Sequence, residues 1–177
     1  MSYSTERLLL GSQRESTVYT FRPWTLVLVP LVSILLQVYL PLFFQFLAYL
    51  ELPLLVTVYF SLMRRSPVAG TLIGALIGIA QDSLSKNPLG LYGIVKTLVG
   101  YFAASVALRF DVDHGFIRAL LGFFFFYFHQ VVFWALSQGL LGLQTGFDAK
   151  RTAILGILNA AVAVSVFRFL DRLRERS

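Results

Sequence analysis

The chain has no cysteine. Thiolate metal sites, iron–sulfur clusters and cysteine nucleophiles are excluded, while the redox compartment is left undecided. Histidine is almost as scarce. His114 and His129 are the only two, and they are too far apart in sequence to ligate a metal at helical spacing. Charge is thin as well, at 14% of residues, against about 25% in soluble domains. No GxSxG, HExxH or phosphate-binding glycine loop occurs. Nothing resembles an ATPase, so any transport activity would need a separate energy source. No catalytic residue, metal or cofactor is expected.

What is present is apolar. The 177 residues are 57% hydrophobic, with a mean hydropathy of +0.74, where soluble domains run near 45–50% apolar. Such a chain has too little polar surface to cover a water-facing exterior, and reads as one all-α integral membrane domain. The net charge of +6 comes from basic residues that punctuate hydrophobic runs. They form no patch with interleaved stacking aromatics, so nucleic acid is not an expected partner and membrane lipids are. Residues 1–22 are polar apart from Leu8–Leu10, too short for a signal-peptide core. They are expected to form a cytoplasmic N-terminal segment ahead of an uncleaved first span.

A spanning helix needs about 20 apolar residues, at a rise of 1.5 Å each, to cross about 30 Å. On that measure the sequence predicts six spans, near 24–41, 45–63, 67–81, 89–108, 119–141 and 152–169, within a transmembrane domain over 23–169. Pro41, Glu51 and Pro53 mark breaks, and Pro67 suits a first helical turn. A β-barrel would show ~10-residue alternating segments instead of continuous apolar runs. With both termini cytoplasmic, the inner side holds Arg7, Arg14, Arg22, Arg64, Arg65, Arg109, Arg118, Arg168, Arg172, Arg174 and Arg176. Lys86, Lys150 and Arg151 fall outside and Lys96 lies within a span. This is the asymmetry that orients membrane proteins. The tail, 170–177, is basic and cytoplasmic, and reads as a helix running out onto the membrane surface.

The chemistry-bearing residues gather between Gly70 and Tyr101. Gly70, Gly74 and Gly78 are spaced by four on the third span and continue to Gln81 and Asp82. Small residues at that spacing let another helix approach closely in lipid. Either internal packing or a docking face for another subunit fits this stripe. Lys96 lies about 10 Å into the fourth span by helical rise. A lone lysine at that depth costs several kcal/mol, so a pair with Asp82, direct or through water, is expected, as a clamp or as a ligand or proton site. Pro88, Gly90, Gly93 and Gly100 surround the pair and suit tight turns or a broken helix entry. His129 and Gln130 sit mid-span on the fifth helix, where interhelical hydrogen bonding is expected.

The stretch GTLIGALIGIAQDSLSKNPLGLYGIVKTLVGY resembles the signature region of the rod shape-determining protein MreD family. The matching positions are Gln81-Asp82, Pro88-Leu89-Gly90, Lys96-Thr97 and Gly100-Tyr101, preceded by Pro53, Tyr59, Pro67 and Gly70. The long polar N-terminus departs from the family pattern. The resemblance implies a multi-pass protein of the bacterial inner membrane, similar in architecture to the substrate-binding membrane subunits of energy-coupling-factor transporters. It further implies a non-enzymatic scaffold of the cell-elongation machinery that partners MreC, near RodA, a class B penicillin-binding transpeptidase and MreB, and helps organise peptidoglycan synthesis. The competing readings are a small-molecule-binding transporter subunit, which would need a pocket around residues 82–96, and an intramembrane enzyme.

Overall fold

A computed structural model describes residues 20–85, 88–143 and 146–175. Residues 1–19 of the polar N-terminal segment, with Arg7 and Arg14, lie outside the described residues, as do Lys86 and Arg176. Six α-helices follow one another: α1 Pro23–Tyr39, α2 Leu52–Arg64, α3 Pro67–Leu84, α4 Leu91–Ala107, α5 Gly115–Leu141 and α6 Ala149–Leu170. Four of them, α1, α3, α5 and α6, are long and apolar enough to cross a membrane. α2 and α4 are shorter apolar helices.

Local chemistry sets the helix starts. Proline stands in the first turn of α1, α2 and α3, where its missing N–H costs nothing. Ser66 caps α3 and Asp148 caps α6 through their side chains. Gly90 opens α4 at φ +96°, a left-handed conformation that a side chain would disfavour.

The expected second span changes most. Residues 45–49 form a 3₁₀ turn, and α2 begins only at Leu52. Its 13 residues rise about 20 Å, short of a bilayer's hydrocarbon core. Every residue from Pro53 to Met63 is buried. α2 is therefore the central post of the bundle, wrapped by the other helices, and lipid does not surround it. The apolar turn that precedes it is exposed, with Leu42, Phe43 and Phe46 the most so.

α3 and α4 form an antiparallel pair at very close range. A Cβ on Gly70, Gly74 or Gly78 would lie 2.3, 2.0 or 2.3 Å from the carbonyl oxygens of Gly100, Lys96 and Tyr92. α4 thus occupies the face that the sequence left open to another subunit. α5 and α6 pack antiparallel as well, with Gly122 against Ala163 and Gly156 against Phe123.

The tail also departs from expectation. It is no surface helix. After a 3₁₀ turn at Asp171–Leu173, Arg174–Glu175 pairs antiparallel with Thr20–Phe21. Phe21 is buried edge-on against Tyr59 and Phe60. The two ends of the described chain are therefore stitched together at the end of the bundle that carries Arg64, Arg65 and Arg118.

Candidate polar site in the helix bundle

The seam between α3 and α4 ends in a carboxylate. Asp82, buried in the last turn of α3, accepts backbone N–H bonds from Gly90 at 3.0 Å, Tyr92 at 3.1 Å and Gly93 at 2.9 Å. These are orphan donors at the start of α4. In a membrane such donors must be met from within the protein, and a negative charge at a helix N-terminus is favourable. A Cβ on Gly93 would lie 3.5 Å from Asp82 Oδ2, in ordinary contact, and 3.2 Å from the Ile79 side chain, which would have to shift by a few tenths of an ångström. Pro88 is exposed, and its carbonyl accepts the Leu91 N–H.

Lys96 is fully buried on α4. No direct ion pair joins it to Asp82 among the described residues, which corrects the simplest form of the expected pairing. Its Nζ lies 3.4 Å from His129 Nε2 and 4.5 Å from the centre of the Tyr92 ring. The Tyr92 and His129 rings stack at 5.9 Å. The charges of Glu51 and Asp82 both act on the ammonium through space. One cation thus serves two carboxylates, and Asp82 is already satisfied by backbone.

Glu51 is the member that sequence reasoning missed, having been read only as a break between spans. It precedes α2 and is partly buried, with Oε2 enclosed and unbonded. Lys96 and Gln81 are the groups acting on its carboxylate. Asn159, also missed, lies mid-way along α6. Its Oδ1 accepts the Glu51 N–H at 2.9 Å and its Nδ2 donates to the Tyr49 carbonyl at 2.9 Å. Gln37 accepts the Leu52 N–H at 3.1 Å. Together these side chains terminate the start of α2 within the bundle. The signal was in the sequence: a glutamate and an asparagine inside apolar runs belong to the same class of costly intramembrane polar residues as Lys96.

The structure therefore brings Gln81, Asp82, Gly90, Gly93, Lys96 and His129 to one junction, with Gly70, Gly74, Gly78 and Gly100 forming the seam that leads to it. Gln130 points away and lines a separate pocket between α5 and α6. At the opposite end, Arg118, expected just outside the span on the cytoplasmic side, is buried in the first turn of α5. It donates to the Val112 carbonyl at 2.9 Å and pairs with Asp171 and Asp113. Tyr59 donates to the same Asp171 at 3.0 Å. This network ties α2, the start of α5 and the end of α6.

The central cluster can hold charge and fix three helix ends, the start of α2, the end of α3 and the start of α4. It contains carboxylates, an ammonium, an imidazole, amides and the Tyr92 phenol. Gln81 Oε1 and His129 Nδ1 are buried with no hydrogen-bond partner among the described residues.

The family model of the rod shape-determining protein MreD matches residues 10–173. No curated protein and no solved structure matches the chain. The matched region contains the whole helical bundle and both polar networks, and the chain belongs to the MreD family of rod shape-determining membrane proteins.

Proposed function

We propose that the protein is a non-enzymatic scaffold of the cell-elongation machinery, which binds MreC in the inner membrane and helps organise peptidoglycan synthesis. The observation that carries this reading is the family match over nearly the whole chain. Family membership itself implies a role in rod shape determination. We further infer that the helices cross the membrane with both termini cytoplasmic. The gathering of Arg64, Arg65, Arg109, Arg118, Arg168 and Arg172 at one end of the bundle supports that orientation. The buried cluster is then structural, setting the angle at which α2, α3, α4 and α5 meet. A partner's helix docks on a face other than Gly70–Gly78, since α4 fills that one.

The test is purification of the tagged protein from native membranes in mild detergent, with mass spectrometry of what accompanies it. Recovery of MreC, with RodA or the transpeptidase, is the expected result. Recovery of an ATPase pair with a coupling subunit in their place would overturn the scaffold reading and make the protein a transporter component.

A further inference from the structure

A second polar feature lies apart from the central cluster. Where α6 begins, a pocket of about 290 Å³ opens between α5 and α6, lined by Gln130, Phe133, Trp134, Phe147, Asp148 and Arg151 among others. Its volume is at the small end for ligand sites, the scale of a headgroup and not of a whole lipid. Phe147 is held in its wall by Trp134 at 5.5 Å and Tyr127 at 6.1 Å.

Two opposite charges share the pocket without pairing. Asp148 Oδ1 accepts the Arg151 backbone N–H at 3.0 Å, capping α6. Among the described residues, its carboxylate makes no ion pair with the Arg151 guanidinium, which lies 5.6 Å over the Tyr49 ring. The Gln130 amide makes no hydrogen bond among the described residues, although it lies mid-way along an apolar helix. Gln130 is half-buried where it lines the pocket.

We propose that this pocket holds the headgroup of a zwitterionic aminophospholipid. The phosphate sits on the Arg151 guanidinium and the Gln130 amide. The primary ammonium sits on Asp148, against the Trp134 and Phe147 rings. A purely anionic headgroup meets the Asp148 carboxylate and a purely cationic ligand meets Arg151, so only a group carrying both charges complements both. A trimethylated ammonium has no N–H to give to Asp148. Leu155 and Phe126, also in the pocket lining, offer apolar contact for the glycerol and the start of the acyl chains. The proposal requires only that the chain is in a membrane, and stands or falls separately from MreC binding.

The experiment is native mass spectrometry of the full chain released from nanodiscs containing equal amounts of phosphatidylethanolamine, phosphatidylglycerol and phosphatidylcholine. The expected result is preferential retention of one phosphatidylethanolamine by the wild type. Asp148→Asn, which preserves a capping side chain, should cut its preference over the other two at least about fivefold, the ratio that about 1 kcal/mol sets. Arg151→Gln should lower retention of phosphatidylethanolamine and phosphatidylglycerol alike. Equal retention of the three lipids by the wild type, or a preference for phosphatidylglycerol, would overturn the proposal without any variant. An unchanged preference in Asp148→Asn would overturn the assigned ammonium site.

Discussion

Gly74→Ala tests the seam most sharply. A methyl group there would sit 2.0 Å from the Lys96 carbonyl oxygen and 2.6 Å from its carbon. Ordinary contact begins at 3.4 Å, so the helices must part locally by roughly 1.4 Å, the difference between 3.4 and 2.0. The obstructing atoms are backbone and have no rotamer to change. Overpacking of this kind costs about 1–3 kcal/mol and at times more. Alanine returns up to about 1 kcal/mol of helix propensity, leaving a net loss of about 2 kcal/mol or more. Gly139→Ala in α5 is the control, because nothing lies within 4 Å of its Cβ, and it should be neutral or slightly stabilising. Adding Gly78→Ala to Gly74→Ala should cost less than the two single losses together, since a seam already opened admits the second methyl group. The assay is denaturant unfolding of the purified protein in mild micelles, followed by circular dichroism. A Gly74→Ala protein as stable as Gly139→Ala would refute the interlocked seam.

Other changes probe the polar networks. Lys96→Met removes the buried ammonium on which Glu51 and Asp82 act through space, and should cost about 1–3 kcal/mol. Lys96→Met with Glu51→Gln should recover part of that loss in the same unfolding assay, and a single variant of wild-type stability would refute the charge balance. Asp82→Asn turns an amide group toward N–H donors and should leave at least one of the three unmet, at about 1–3 kcal/mol. Amide hydrogen exchange should then accelerate either at Tyr92 or at Gly90 and Gly93, which bond to different carboxylate oxygens, and unchanged rates at all three would count against the cap. Arg118→Met takes the guanidinium from Asp171, which keeps the Tyr59 hydroxyl and is 21% exposed to water, so the loss should be about 1–3 kcal/mol. Tryptic cleavage after Arg172 and Arg174 should become faster, whereas unaltered kinetics would mean that Arg118 does not hold the tail.

The helices themselves were legible in the sequence, because continuous apolar runs broken by prolines and charges leave few other structures possible in lipid. The ends of the runs were less so. α5 begins at Gly115, four residues before expectation, because His114 Nδ1 takes the Phe116 N–H at 3.3 Å and turns part of an apparent loop into helix. α2 was misjudged for a different reason. Hydropathy distinguishes apolar from polar and does not distinguish lipid from protein, so a helix sheathed by its neighbours and one facing acyl chains read alike. The same blindness applied to the glycines, whose spacing announced a close approach but could not say to which helix. Asp82 and Lys96 were found because both carry charge. Their partners were harder to see: backbone N–H groups have no side-chain signature, and His129, Glu51 and Asn159 come from three different helix neighbourhoods that only the folded bundle unites.

If the protein is the scaffold proposed above, the inward turn of the signature stretch bears on how it would meet partners. Gly70, Gly74, Gly78, Asp82, Gly93, Lys96 and Gly100 are consumed in joining α3 to α4 and in seating the start of α2. None presents a side chain that another protein could read on the outside of the bundle. Their effect on a partner would be indirect, through the positions they fix. The outer faces they leave exposed are made of ordinary aliphatic and aromatic side chains: Val68, Leu72, Leu76 and Ile79 along α3, and Val27, Leu28, Leu31 and Leu35 along α1. In lipid such surfaces gain little from apolar contact alone. Selectivity among partners then has to come from shape and from the polar ends of the bundle. Those ends are held by Arg118 and Asp171 on one side and by Asp82 and the cap of α6 on the other. A substitution in the signature that loosened the seam would therefore disturb partner binding only by disturbing the fold, and the two losses should track each other across a graded series at Gly70, Gly74 and Gly78.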